Sequence, residues 1–359
     1  MPKEHPDLDT LRLNEIQYVG THNSYKLHPD ARMMRALAAA DQSRPTERTD
    51  KPSRAHALSY GHLPLETQLD LGMRLFELDL QLSGSGPPLD LQEHYAKQYG
   101  AKEPLDGGVL PRRFERDEVL VYHNLDDFRS SCYRLTDCLL AFRNWSRANP
   151  QHLPVVIYLE AKYEPQCDSS QGGKCLNVQG TDQPFDRQAW ERVERHVRSL
   201  IGEEIVVRPG ELLLADKDLR QSIKEQGWPK ISALRGKFLF VIAAADDRAK
   251  DTYSEIENPL FFTFRPADHP DASFVIEFDP FSSKVEEIIA AGFIASTYAD
   301  YRLEEARRND TRKRNRLFSA GAQMISTDFP IRDPRFSDYR VVFNGSEYVQ
   351  PAPRINPAQ

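Results

Sequence analysis

The stretch Arg74-Leu75-Phe76-Glu77-Leu78-Asp79-Leu80-Gln81 decides the fold. Its polar and apolar residues alternate with the period of a β-strand, which puts Glu77, Asp79 and Gln81 on one face and Phe76, Leu78 and Leu80 on the other. On a wet edge strand two such carboxylates need no explanation. Inside a buried sheet they repel and lose hydration unless a cation or a proton compensates them. The other strand candidates, at 16–19, 119–122, 155–159, 238–242, 274–278, 292–296 and 323–327, are apolar enough to indicate a buried sheet. Helical patterns at 136–148, 186–200, 283–291 and 303–320 separate several of them. Strands alternating with helices imply a parallel sheet, and about eight strands imply closure into a TIM (β/α)8 barrel, an α/β fold.

Working outward, long irregular inserts at 26–64, 83–117 and 164–184 each follow a strand that carries a polar motif. In a barrel such loops share the catalytic face. The chain is expected to form one catalytic domain over residues 1–359, with a core at about 16–330 and a C-terminal extension at 331–359, of which 348–359 reads as an irregular tail. The segment 205–214 is ambiguous between strand and loop.

The motifs at the strand ends carry the chemistry. Gly20-Thr21-His22-Asn23-Ser24-Tyr25-Lys26 places an imidazole and a neutral amide after the first strand, and Val121-Tyr122-His123-Asn124 places a second imidazole after the third. Glu160 closes an apolar run, with Lys162 two residues on and on the same face. A Glu160–Lys162 ion pair is one account of that placement; a metal ligand beside a phosphate-reading lysine is the other. Hard oxygen ligands from Asn23, Glu77, Asp79 and Glu160 suit calcium or magnesium rather than zinc. Such an ion polarises a phosphoryl oxygen, while one histidine accepts a proton and the other donates one. The set points to phosphoester chemistry.

Composition narrows the partners. The 359 residues carry 47 Lys plus Arg against 54 Asp plus Glu, a net charge of −7, so a nucleic-acid partner is not expected. The basic run 302–316 is interrupted by Glu304, Glu305 and Asp310 and reads as a solvated helix face. No apolar run approaches the roughly 18 residues of a transmembrane segment, so a lipid substrate would be met at the membrane surface. Two close cysteine pairs, Cys132 with Cys138 and Cys167 with Cys175, lack zinc-like spacing with neighbouring histidines, which favours disulfide-closed loops and an oxidising compartment. No signal peptide is visible before Gly20, so a mature secreted or periplasmic form, acting as a monomer, is expected.

Taken in order, G-T-H-N-S-Y, R-L-F-E-L-D, V-Y-H-N, Y-L-E-A-K and the late E-E-A-R-R-N-D-T-R-K-R-N-R-L-F-S-A-G-A-Q-M-I-S-T-D-F-P resemble the calcium-dependent phosphatidylinositol-specific phospholipases C of the bacterial and fungal branch, over about 16–330. The resemblance implies a phospholipase C-like barrel that uses calcium on a phospholipid head group. It also implies that the head group's own hydroxyl attacks phosphorus, giving diacylglycerol and a cyclic phosphate. His22 and His123 become the catalytic pair, Asn23, Glu77, Asp79 and Glu160 the calcium ligands, and the two cysteine pairs fit secreted members. One departure is Ser296-Thr297-Tyr298-Ala299-Asp300, where relatives are expected to carry an Arg-rich stretch; Lys162 and Arg302 are the residues that could compensate as substrate contacts. Rival readings are a glycerophosphodiester phosphodiesterase on the same fold, a glycoside hydrolase barrel using Glu77 with Glu160, and a catalytically silent head-group-binding barrel.

Overall fold

The computed structural model describes residues 6–43, 53–83, 89–115, 117–162, 165–168, 174–177, 184–244, 247–300 and 303–353. Among these described residues twelve strands are β1 Ile16–Thr21, β2 Leu75–Leu82, β3 Val119–Val121, β4 Val155–Ala161, β5 Pro165–Asp168, β6 Lys174–Asn177, β7 Phe238–Ala244, β8 Phe262–Thr263, β9 Phe274–Ile276, β10 Ile294–Tyr298, β11 Met324–Thr327 and β12 Val349–Pro351. They form two five-stranded sheets, in the orders β12-β1-β11-β10-β9 and β3-β2-β4-β7-β8, and a β5-β6 hairpin.

Within the two sheets β1, β11, β10, β9 and β2, β4, β7, β8 run parallel to their neighbours, and these eight make the barrel wall. At one junction of the half-sheets a parallel bridge joins Phe264 to Phe274. Trp228 packs against Phe262 and Phe274 there, with ring centroids 5.7 and 5.4 Å apart, so aromatic contact supplements a short ladder. At the other junction β1 and β2 share no ladder among the described residues. They meet through Ser24, whose N–H donates to the Glu77 carbonyl (2.9 Å) and whose hydroxyl accepts from the Glu77 N–H (2.8 Å). Gly20 is required at this seam: a Cβ would lie 2.0 Å from the Leu75 carbonyl oxygen.

Two expectations about the wall change. The run 119–122 supplies β3, which pairs antiparallel with β2 (Leu80 opposite Val121) and lies outside the ring of parallel strands. The strand that completes the count is β8, whose two residues are too few to show a period. The pattern 303–320 is two helices, Glu304–Arg308 and Arg312–Ala320, parted at Asn309 by a left-handed φ of 51°. The ambiguous segment forms 3₁₀ turns at Glu203–Ile205 and Pro209–Leu212. The expected irregular tail contains β12, which pairs antiparallel with β1, and Tyr339, Val341 and Phe343 of the C-terminal extension are buried.

The predicted alternation of β2 is present, but all eight of its residues are buried, because its polar face lines the barrel interior. Helices cover the outside. Leu135–Ala148 buries Leu135, Leu139, Phe142 and Trp145 at helical spacing, and Arg187–Leu200, capped by Asp186 on the Ala189 N–H, buries Trp190, Val193 and Val197.

Candidate active site

Three carboxylates converge where β2 and β4 end. Asp79 and Glu160 are register partners, so their side chains stand beside each other on one face, and Glu77 lies two residues earlier on the same face. One oxygen from each of Glu77, Asp79 and Glu160 falls within 4.8 Å of the others. Lys162 reaches this group, with Nζ 2.7 Å from Glu160 and 3.1 Å from Asp79, so the expected ion pair exists and is shared with a second carboxylate. Asp79 and Glu160 then share one ammonium. Burial, reinforced by the neighbouring carboxylates, raises Glu77 to about 8 and Asp79 to about 6, against the opposing pull of His22 and Lys162. Burial also acts against the charged form of Glu160, but Lys162 and both histidines outweigh it and hold that carboxyl below its ordinary range.

Asn23 borders the cluster from β1's side of the seam, in a left-handed conformation with φ 49° that asparagine tolerates better than most residues. With its nitrogen toward Asp79, the amide donates to both carboxylate oxygens (2.9 and 3.1 Å) and accepts from the Tyr60 hydroxyl (2.9 Å). Turned over, it offers its oxygen to the same point, the orientation a cation requires. The donor set therefore fits a hard divalent ion. It is all oxygen, it lies on barrel strand ends, and Glu77 Oε2 is buried with no hydrogen-bond partner among the described residues.

Each histidine is held by a carboxylate on Nδ1, which leaves Nε2 for a substrate. His22 Nδ1 lies 2.8 Å from Asp328 Oδ1 at the end of β11, and 3.3 Å from the Tyr60 hydroxyl. Burial lowers the imidazole's basicity, but Asp328, Glu77 and Asp79 together outweigh it and raise His22 to about 10. His123 Nδ1 lies 2.9 Å from Asp127 Oδ2, and Gln81 on β2 donates to the His123 carbonyl (3.0 Å). Burial acts against ionised Asp127, yet Lys26 and His123 hold its carboxyl below the ordinary range. Both imidazoles remain about a quarter exposed, at 24% and 23%, so each can be reached from solvent.

Tyr298 meets the His22 ring edge-on at 5.4 Å and stacks on Phe278 at 5.9 Å. It occupies the segment where the resemblance led to an expected arginine-rich stretch, so an aromatic wall stands where cationic contacts were anticipated. Arg302 lies outside the described residues. So do the side chains of Cys167 and Cys175, whose backbones face each other across the β5-β6 hairpin. Cys132 and Cys138 form the expected disulfide.

Sequence reasoning missed Asp127, Asp328 and Asp300. Asp127 is four residues after His123, a spacing that could have flagged it. Asp328 ends an apolar run, the same signal used for Glu160. Asp300 accepts from the Asp328 N–H (2.8 Å) and the Tyr339 hydroxyl (3.2 Å); burial and Asp328 raise it to about 7. That contact depends on two chain segments meeting and leaves no local pattern.

A family model described as phosphoinositide phospholipase C, Ca2+-dependent, matches residues 11–353. The chain belongs to this family of calcium-dependent phospholipase C-type phosphodiesterases. Two structures of the calcium-dependent phosphoinositol-specific phospholipase C from the Gram-negative bacterium Pseudomonas sp share its fold. The apo form with a myoinositol complex is 16% identical with a TM-score of 0.55, and a second apo crystal form is 15% identical with a TM-score of 0.54. Each comparison covers 97% of both chains. No curated protein matches the chain.

Proposed function

We propose that this chain cleaves the glycerol–phosphate ester of a phosphoinositide or related glycerophospholipid, with a hydroxyl of the head group as nucleophile, giving diacylglycerol and a cyclic phosphate. The observation that carries the reading is the placement of two carboxylate-held histidines around the Glu77, Asp79 and Glu160 cluster. Asn23, Glu77, Asp79 and Glu160 would hold calcium, which supplies positive charge to a phosphoryl oxygen and acidifies a nearby hydroxyl. His22 receives the proton of the attacking hydroxyl. Neutralising Glu77 and Asp79 brings its pKa down from about 10 toward the range in which a base works. His123 delivers a proton from Nε2 to the departing glycerol oxygen, while Asp127 fixes its ring. Lys162, and Arg302 with it, contact the head group. A glycosidase using Glu77 and Glu160 would leave both histidine–aspartate pairs unused.

The enzyme works at a membrane surface as a monomeric, secreted or periplasmic protein of one domain. The Cys132–Cys138 disulfide supports an oxidising compartment. No helix among the described residues is long and apolar enough to cross a membrane. Phe278 and Phe281 stand exposed on the loop after β9, and Leu63 and Ile331 on loops after β1 and β11, the end of the barrel that bears the histidines.

The test is incubation with phosphatidylinositol, with and without calcium, followed by phosphorus NMR. A five-membered cyclic phosphate should precede any acyclic monoester, and only with calcium. His22→Ala and His123→Ala should each lower turnover by about 10²-fold or more, and the double variant by far less than the product. Prompt acyclic product from a lipid whose neighbouring hydroxyl is methylated would overturn the proposed attack.

A further inference from the structure

We infer that Lys26 is a positioning residue for the reaction, acting on His123 through Asp127; this rests on His123 being the acid of the proposed pair. Lys26 follows the His22 motif in sequence, yet its ammonium points to the other histidine's loop. Nζ lies 3.3 Å from Asp127 Oδ1, and neither side chain is exposed to solvent. An ammonium has three N–H donors. Two are used by the Leu58 carbonyl (3.0 Å) and the Tyr60 carbonyl (2.6 Å), and the ammonium faces Asp127 Oδ1, which has no hydrogen-bond partner among the described residues, as an ion-pair partner. The Tyr60 ring lies 4.2 Å from Nζ and closes another side.

The two oxygens of Asp127 therefore have separate partners: Oδ1 faces Lys26 and Oδ2 faces His123 Nδ1. A carboxylate bound at one oxygen alone can turn about its terminal torsion, which is broad for aspartate. With the Lys26 ammonium 3.3 Å from its other oxygen, the carboxylate is drawn from both sides, which favours one plane for holding His123 and the tautomer that keeps Nε2 toward the substrate. The surrounding backbone shows the same linkage. Lys26 bridges Ser130, the Leu27 N–H donates to the Arg129 carbonyl (3.1 Å), and the Ser131 N–H donates to the Tyr25 carbonyl (2.8 Å). The charged groups facing Lys26 are Asp127 and, more weakly, Asp328 and Arg129; Asp127 itself faces Lys26 and His123. Lys26 is thus the strongest opposing charge available to Asp127.

The test compares Lys26→Met, Asp127→Asn and the double variant in the full-length enzyme. Ring ¹⁵N NMR of the calcium-free protein should show the neutral His123 tautomer losing its uniform Nδ1–H form in Lys26→Met, a readout that needs no substrate. With phosphatidylinositol and calcium, kcat should fall about tenfold or more with KM little changed, less than the ~10²–10⁴ carried by a general acid itself. Because Lys26 acts through Asp127, the double variant should have the kcat of Asp127→Asn alone. A double variant that loses the product of the two single effects overturns the inference, as does Lys26→Met with unchanged His123 signals and unchanged kcat. If Lys26→Met does not fold, the double variant, which buries neither charge, is compared with Asp127→Asn and decides the same question. An enzyme inactive on phosphatidylinositol would refute the proposed reaction while leaving the ring spectra to judge Lys26.

Discussion

Asp328→Asn should free His22 from its raised proton affinity while keeping the side chain's shape. In the native protein burial pulls the imidazole down, and Asp328 is the strongest of the groups that reverse this, ahead of Glu77 and Asp79. Raising a histidine from 6.5 to about 10 corresponds to about 5 kcal/mol at 1.36 kcal/mol per pKa unit. Because the folded value is the higher one, that stabilisation is complete below pH 6.5 and disappears as pH rises through 10. An opposite charge in contact moves a pKa by roughly 1–3 units, so the variant should retain only part of the effect. The measurement is an NMR titration of the His22 ring in calcium-free protein, native against Asp328→Asn, with urea unfolding at neutral pH and at pH near 10. Glu77, at about 8, titrates in the lower part of this window in both proteins, and Asp300, held at about 7 partly by Asp328, moves lower in the variant, so the ring titration is the reading that isolates His22. The variant's ring should titrate clearly lower, and its stability should fall less across the window. The same titration with calcium should lower the native value, through Glu77 and Asp79. Identical His22 titrations in the two proteins would show that Asp328 is not the source and would remove the ion-pair argument.

Glu77→Gln should weaken calcium binding in calorimetry more than it alters unfolding, since it deletes a charge from an oxygen-rich site; equal affinity would take Glu77 out of the site. Phe281→Ser should slow cleavage in phosphatidylinositol vesicles but not of a soluble short-chain analogue, and equal losses on both would exclude a membrane-facing role for that loop. Replacing Cys132 and Cys138 by serine should cost about 2 kcal/mol in urea unfolding, the value for closing a short loop; an unchanged midpoint would show that other contacts already order the segment.

The barrel and most of the site were legible because the signals are local. The alternation of Glu77 and Asp79 with leucines survives as a buried strand, and His22 and Glu160 sit at strand ends as their apolar leads implied. His123 was found for a partly mistaken reason, since its strand is antiparallel and only leans on β2. Pairing direction is set by where the chain returns after the 83–117 insert, and the composition of 119–122 is the same either way. β8 was invisible for want of length. Asp127 and Asp328 carried local signals that went unread, the i+4 spacing from His123 and a strand-end position, whereas Asp300 acquires its contact with Asp328 only by the meeting of two segments. Lys162 illustrates the opposite outcome: the ion pair that its spacing suggested is present, and it extends to Asp79 as well as Glu160.

The seam between β1 and β2 sets the distance between Asn23 and the carboxylate cluster of β2 and β4. Other neighbouring barrel strands are fastened by ladders or by an aromatic-backed bridge, whereas here the fastening is Ser24 on Glu77 and the close seating of Gly20 on Leu75. Asn23 rides on one lip, and Glu77 and Asp79 on the other, and the Asn23 amide on Asp79 is a further tie across the joint. An ion that took donors from both lips would fasten the two halves of the barrel where no ladder does, so loss of the ion should be felt in the closure of the barrel as well as in the reaction.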